Sequence, residues 1–125
     1  MSVVVSVSLS LSLSISLPLP LDSPAAYIKE LFSSVQAEIS ALENSGRLPA
    51  SAYEDATMYT TLSPCDMCTG ACILYKVKRV VIGENQNFRG GEDYLRSRGK
   101  ELVVLDNAEC KQLMTQFIRD KPELW

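Results

Sequence analysis

A chain of 125 residues with 12 Lys and Arg against 15 Asp and Glu, net charge −3, is long enough for one small domain. That balance argues against a clustered basic surface that tracks phosphates, so the expected partner is a small molecule and not a nucleic acid. There is no histidine, and of the four cysteines Cys65, Cys68 and Cys72 fall close together, with Cys110 apart. Cys65 and Cys68 are too near for a comfortable structural disulfide, which points to metal or redox use in a reducing compartment, cytoplasmic with the nucleus open to it.

Residues 1–34 form a low-complexity Ser/Leu/Pro segment. Val3-Val4-Val5 leads into Ser/Leu alternation from Ser6 to Leu17, then Pro18-Leu19-Pro20-Leu21, with no charged side chain from Ser2 to Leu21. Three readings compete. A secretory or membrane segment has the length but lacks a preceding Lys or Arg and is rich in Ser and Pro, so no membrane partner is expected. A β-strand fits the period of two, but nothing directly after it offers a partner, and so exposed an edge would aggregate. The third reading is genetic. A CT dinucleotide tract read in frame encodes alternating Ser and Leu, and such tracts precede splice acceptors ending in CAG, a Gln codon. Gln36 stands where domain-like sequence begins, so residues 1–36 are expected to be translated intron.

Residues 35–125 read as an α/β domain. Gln36 to Glu43 is helical in pattern, with Ile39 and Leu42 on one side and Asn44-Ser45-Gly46 as its stop. Thr57 to Leu62 is a strand. Ser63-Pro64 is a helix-start signal, a capping hydroxyl before a proline at the first helical position, for a helix from Cys65 to about Tyr75. Arg79 to Gly83 is a buried strand, Glu92 to Arg98 a short helix stopped by Gly99, Glu101 to Leu105 a strand, and Ala108 to Arg119 a closing helix. Strands alternating with helices imply a parallel sheet segment.

Pro64-Cys65-Asp66-Met67-Cys68 places two thiols on one face of a first helical turn, where free N–H groups and the helix dipole favour thiolate. Two thiolates are donors for zinc, and a third ligand must come from elsewhere. A carboxylate such as Glu38, if the fold brings it beside such a metal, can take a proton from water and deliver it to a leaving group. Each residue has a bland alternative. Cys-x-x-Cys is also a redox pair or half a zinc finger, Cys72 and Cys110 suit core packing, and Glu38 alone suits a solvated helix face.

Ala37 to Leu48, Leu62 to Ala71 and Val81 to Asn85 closely resemble the active-site segments of fungal, yeast-type cytosine deaminases. These belong to the zinc-dependent cytidine/deoxycytidylate deaminase superfamily, whose signature is His-x-Glu followed by Pro-Cys-x-x-Cys. The likeness continues through Phe88, Tyr94-Leu95, Arg98-Gly99 and Phe117-Ile118 to Trp125. It implies a Zn2+ hydrolase that turns cytosine into uracil and ammonia in pyrimidine salvage, preferring the free base to its nucleoside and acting as a homodimer. By matching positions, Glu38 is the catalytic acid/base and Cys65 and Cys68 are metal ligands. The Ser63 carbonyl accepts from the leaving amine, and Phe88 and Trp125 close an aromatic lid. The implied fold is α/β: a three-layer cytidine-deaminase-like fold with a mixed sheet, here lacking the first helix and first two strands. The departure is Gln36, which stands at the position of the missing His ligand. An amide oxygen is a poor zinc donor beside imidazole, so the alternative is a catalytically impaired pseudo-enzyme kept as an interaction protein.

Overall fold

A computed structural model describes residues 4–6 and 37–125. Four strands lie side by side in chain order: β1 (Val4–Ser6), β2 (Thr57–Leu62), β3 (Arg79–Glu84) and β4 (Glu101–Val104). All three pairings are parallel, with Val80 facing Met58 on one side and Leu102 on the other. Among the described residues the sheet is wholly parallel, and no antiparallel pair of the expected mixed sheet is among them.

Parallel neighbours need crossovers, and these are helical. α1 (Ala37–Asn44) precedes β2, α2 (Asp66–Leu74) links β2 to β3, α3 (Glu92–Ser97) links β3 to β4, and α4 (Ala108–Asp120) closes the chain. Central β3 is buried from Val80 to Glu84, as a strand covered on both faces must be. Edge strand β4 alternates instead, with Glu101 and Val103 turned to water. On one face Met58, Val80 and Ile82 pack with Ala41 and Leu42 of α1, Cys72 of α2 and Leu95 of α3. On the other, α4 lies so close that its Cys110 Sγ fills the space a side chain at Gly83 would need. This is the expected three-layer sandwich.

The glycine stops hold. Gly46 and Gly99 adopt φ of +91° and +74°, a region open to glycine at little cost. At each the following amide reaches back across the turn, Arg47 to the Leu42 carbonyl and Lys100 to that of Leu95, closing a Schellman motif.

Two local features differ from the pattern of the sequence. Within the segment 1–34, Val4–Ser6 is a strand, in register with Thr57–Tyr59. The free edge of β2 supplies the partner that no neighbouring segment could, and β-branched valines suit an extended backbone. The Ser/Leu run itself lies outside the described residues. The second concerns α2, whose cap is Cys65 in extended conformation and not Ser63. The Pro64 carbonyl accepts instead from the Gly91 amide at 3.0 Å, which holds Pro64 outside the helix.

Leu95 is fully buried and is the main anchor of the short α3. Leu95→Ala is expected to cost about 2–5 kcal/mol of unfolding free energy, read from the urea midpoint at unchanged m-value.

Candidate active site

The site is built at the carboxyl end of β2. Glu38 enters in the first turn of α1 and is 6% exposed. A carboxylate so placed needs partners to offset its lost hydration, and it has two. Thr60 Oγ1 of β2 donates to its Oε1 at 2.9 Å, and Cys68 Sγ of α2 donates to its Oε2 at 3.2 Å. The Thr60 hydroxyl also lies 2.8 Å from the Leu62 carbonyl, so its single proton is shared between two acceptors. Glu38 and Cys68, separated by thirty residues in the chain, are thus brought into direct contact as the motif requires.

Cys65 caps α2 and is half-buried, while Cys68 is fully buried one turn on. The helix start was expected to favour the thiolate of both. At Cys68 the opposite holds: burial pushes the thiol up, and the neighbouring Glu38 charge pushes it further. Cys72 is pushed up to about 12 by burial and by Glu38, partly offset by Lys100. It belongs to the apolar core. Cys110 sits half-buried on α4, away from this cluster, with its thiol raised by burial and by Glu109 and Glu84.

The donor set suits zinc in kind, since two thiols with a carboxylate against one of them are ligands and a proton acceptor for that metal. In number it is short. Among the described residues no group of three or more His, Cys, Asp or Glu side chains could hold a metal ion. Gln36 lies outside the described residues. The described chain therefore supplies Cys65 and Cys68 as the residues that would hold zinc, and no third donor.

Ser63 is buried between β2 and the helix cap. Its hydroxyl donates to Glu92 Oε1 at 2.9 Å and accepts the Gly90 amide at 3.0 Å. The loop after β3 thus lies directly on the Ser63-Pro64 turn, and this loop carries Phe88. Phe88 and Trp125 meet edge to face, ring centroids 6.3 Å apart at 90°. Both are partly exposed, so they form a surface aromatic pair and not core packing.

Sequence reasoning missed Thr60, Asn85 and Glu92. Thr60 left a trace: strand alternation turns it inward with Met58, and an inward polar residue needs a buried partner. Glu92 left none, because an acidic residue opening a short helix reads as solvated.

Residues 22–84 match the family model described as the cytidine and deoxycytidylate deaminase zinc-binding region. A cytosine deaminase of Candida albicans is 57% identical over 91 residues, covering 73% of this chain and 61% of the relative. A tRNA-specific adenosine deaminase of Buchnera aphidicola is 30% identical over 98 residues, 71% of this chain and 65% of that protein. The deoxycytidylate deaminase of phage T4 is 38% identical over 90 residues, 70% and 46%. The chain thus spans less than two-thirds of the length of each of these relatives.

The raised Cys72 thiol has a pH signature. Its folded pKa lies above the ordinary value of 9.0, so the stability it supports is complete below pH 9 and is lost as pH rises toward 12. For chelator-treated protein, Cys72→Ala is expected to remove up to about 2 kcal/mol of the stability loss between pH 9 and 10.5, read from paired urea titrations.

Proposed function

Since the chain belongs to the cytidine and deoxycytidylate deaminase zinc-binding family, we propose that it hydrolyses cytosine to uracil and ammonia. The observation that carries this reading is the contact of Glu38 with Cys68 beside Cys65, within sequence 57% identical to a cytosine deaminase. Zinc, when bound by Cys65 and Cys68, supplies a nucleophilic oxygen from water near neutral pH.

The chain's own residues do the rest. Glu38 takes one proton from water and delivers it to the ring nitrogen of cytosine, then takes the second from the hydroxyl added to the ring carbon and delivers it to the departing amine, so that water and cytosine become uracil and ammonia. Thr60 holds Glu38 Oε1 and leaves Oε2 toward Cys68, which fixes the carboxylate's plane at the metal side. The Ser63 carbonyl accepts from the leaving amine. Phe88 and Trp125 cover the flat ring, a shape that favours a free base over a bulky nucleoside. The net acidic chain supports a free-base substrate over a nucleic acid.

A homodimer acting in cytoplasmic pyrimidine salvage is part of this proposal. Exposed Leu74, Tyr94 and Leu105 are candidate contacts for the second copy, and sedimentation velocity tests it. The translated-intron reading of residues 1–36 is tested by sequencing the transcript across the Val35 to Ile39 codons. A His codon joined directly to Ala37 supports it, and an unbroken Gln36 codon removes it. The pseudo-enzyme alternative rests on Gln36 alone and gains no support from the described residues.

With zinc supplied, purified protein is expected to release ammonia from cytosine, and Glu38→Gln to lower kcat by about 10²–10⁴. Cytosine should exceed cytidine in kcat/KM. Gln36→His should raise zinc retention after dialysis against a chelator, measured as metal per chain. Full retention by the unsubstituted chain would show that the amide position is not the weak point.

A further inference from the structure

One buried carboxylate has no part in the chemistry above. Glu92, the first residue of α3, is 1% exposed. Its Oε1 accepts from Ser63 Oγ at 2.9 Å and from Asn85 Nδ2 at 3.0 Å. Its Oε2 faces the guanidinium groups of Arg89 and Arg96 at 3.8 and 3.7 Å. The Ser63 hydroxyl accepts in turn from the Gly90 amide, and the Gly91 amide donates to the Pro64 carbonyl. The two loops approach so closely that a Cβ on Gly90 would stand 2.0 Å from the Pro64 oxygen. Glu92 is therefore the common acceptor for two segments: the end of β2, through Ser63, and the loop after β3 that bears Phe88, through Asn85.

We propose that Glu92 is a positioning residue, which through Ser63 and Gly90 fixes both the Ser63–Pro64 peptide beside the metal-ligand helix and the Phe88 loop above it. The proposal deepens the deaminase reading and rests on it. Ser63 has one hydroxyl proton, and Glu92 is the acceptor that claims it. With that proton committed, the hydroxyl oxygen is left to receive Gly90, and the carbonyl of the same residue is held in one orientation. Small displacements of a positioned group cost rate steeply, because reacting atoms must meet within a few tenths of an ångström. A packing role would leave turnover per folded molecule unchanged.

The test compares Glu92→Ala, Glu92→Gln, Ser63→Ala and the Ala double variant with the unsubstituted chain. Cytosine kinetics are read alongside amide hydrogen exchange. Glu92→Ala is expected to lower kcat roughly ten- to a hundredfold with KM changed less than about threefold. Glu92→Gln, which keeps an acceptor oxygen for Ser63 and Asn85, is expected to recover most of that loss. The double variant should be no slower than the slower single, since both act through one contact. Exchange at Gly90 and Gly91 should quicken at least about tenfold in Glu92→Ala, while the Val80 to Ile82 amides keep their protection. Unchanged exchange at Gly90 and Gly91 overturns the proposal, as does an unchanged kcat in an active protein. Should Glu92→Ala fail to fold, Glu92→Asp withdraws the carboxylate by one methylene and takes its place under the same criteria. If the unsubstituted chain shows no cytosine turnover, the deaminase reading fails, and the exchange comparison alone decides the positioning role.

Discussion

The structure turns on a carboxylate kept almost dry. Glu38 cannot be buried as an ordinary helix residue, because removing its charge from water costs several kcal/mol unless hydrogen bonds replace the lost hydration. The replacements come from Thr60 on the strand and Cys68 on the next helix. Those two donors fix where α1 and α2 stand relative to β2, and the apolar contacts of Ala41, Leu42 and Cys72 follow from that placement. The same burial that is costly for stability would suit the proton transfer proposed for the carboxylate, since a low-dielectric site strengthens every charge it faces.

Parallel strands explain why the functional groups gather at one end. Loops leaving β2 and β3 in the same direction emerge side by side at their carboxyl ends, the usual place for a site in parallel α/β architecture. The β2 loop brings Ser63, Pro64 and Cys65, and the β3 loop brings Asn85, Phe88 and Gly90. Glu84, fully buried at the end of β3, accepts from the Gln86 and Asn87 amides and from the Asn87 side chain, which turns the second loop back over the first. Fold and site are thus joined by two buried carboxylates, Glu84 shaping the loop and Glu92 tying it down.

Much of this was legible in the sequence. β2 spans the residues its pattern indicated, the β3 and helix limits shift by a residue or so, and both glycine stops have the left-handed geometry that the residue type suggests. Apolar periodicity and glycine chemistry are local signals, so a linear reading finds them. What it missed is non-local. Val4–Ser6 finds its partner about fifty positions away. The Ser63-Pro64 signal was outvoted because the Pro64 carbonyl bonds to an amide in another loop. Glu92 reads as a solvated helix opener until the fold sets it against Ser63 and Asn85. The helix dipole at Cys68 was read correctly in sign, but burial and a neighbouring carboxylate outweigh it.

That last competition bears on how such a site takes a metal. A dipole worth a fraction of a unit charge cannot hold a thiolate beside Glu38 in a dry environment, whereas a dication can. On the proposed reading, metal capture and deprotonation at Cys68 occur together, and each ion bound would release protons to solvent. Apparent affinity then falls as pH drops, and lies below that of an exposed Cys pair, whose thiols ionise more readily. An imidazole third ligand would add a strong neutral donor without adding to the negative charge already present around Glu38.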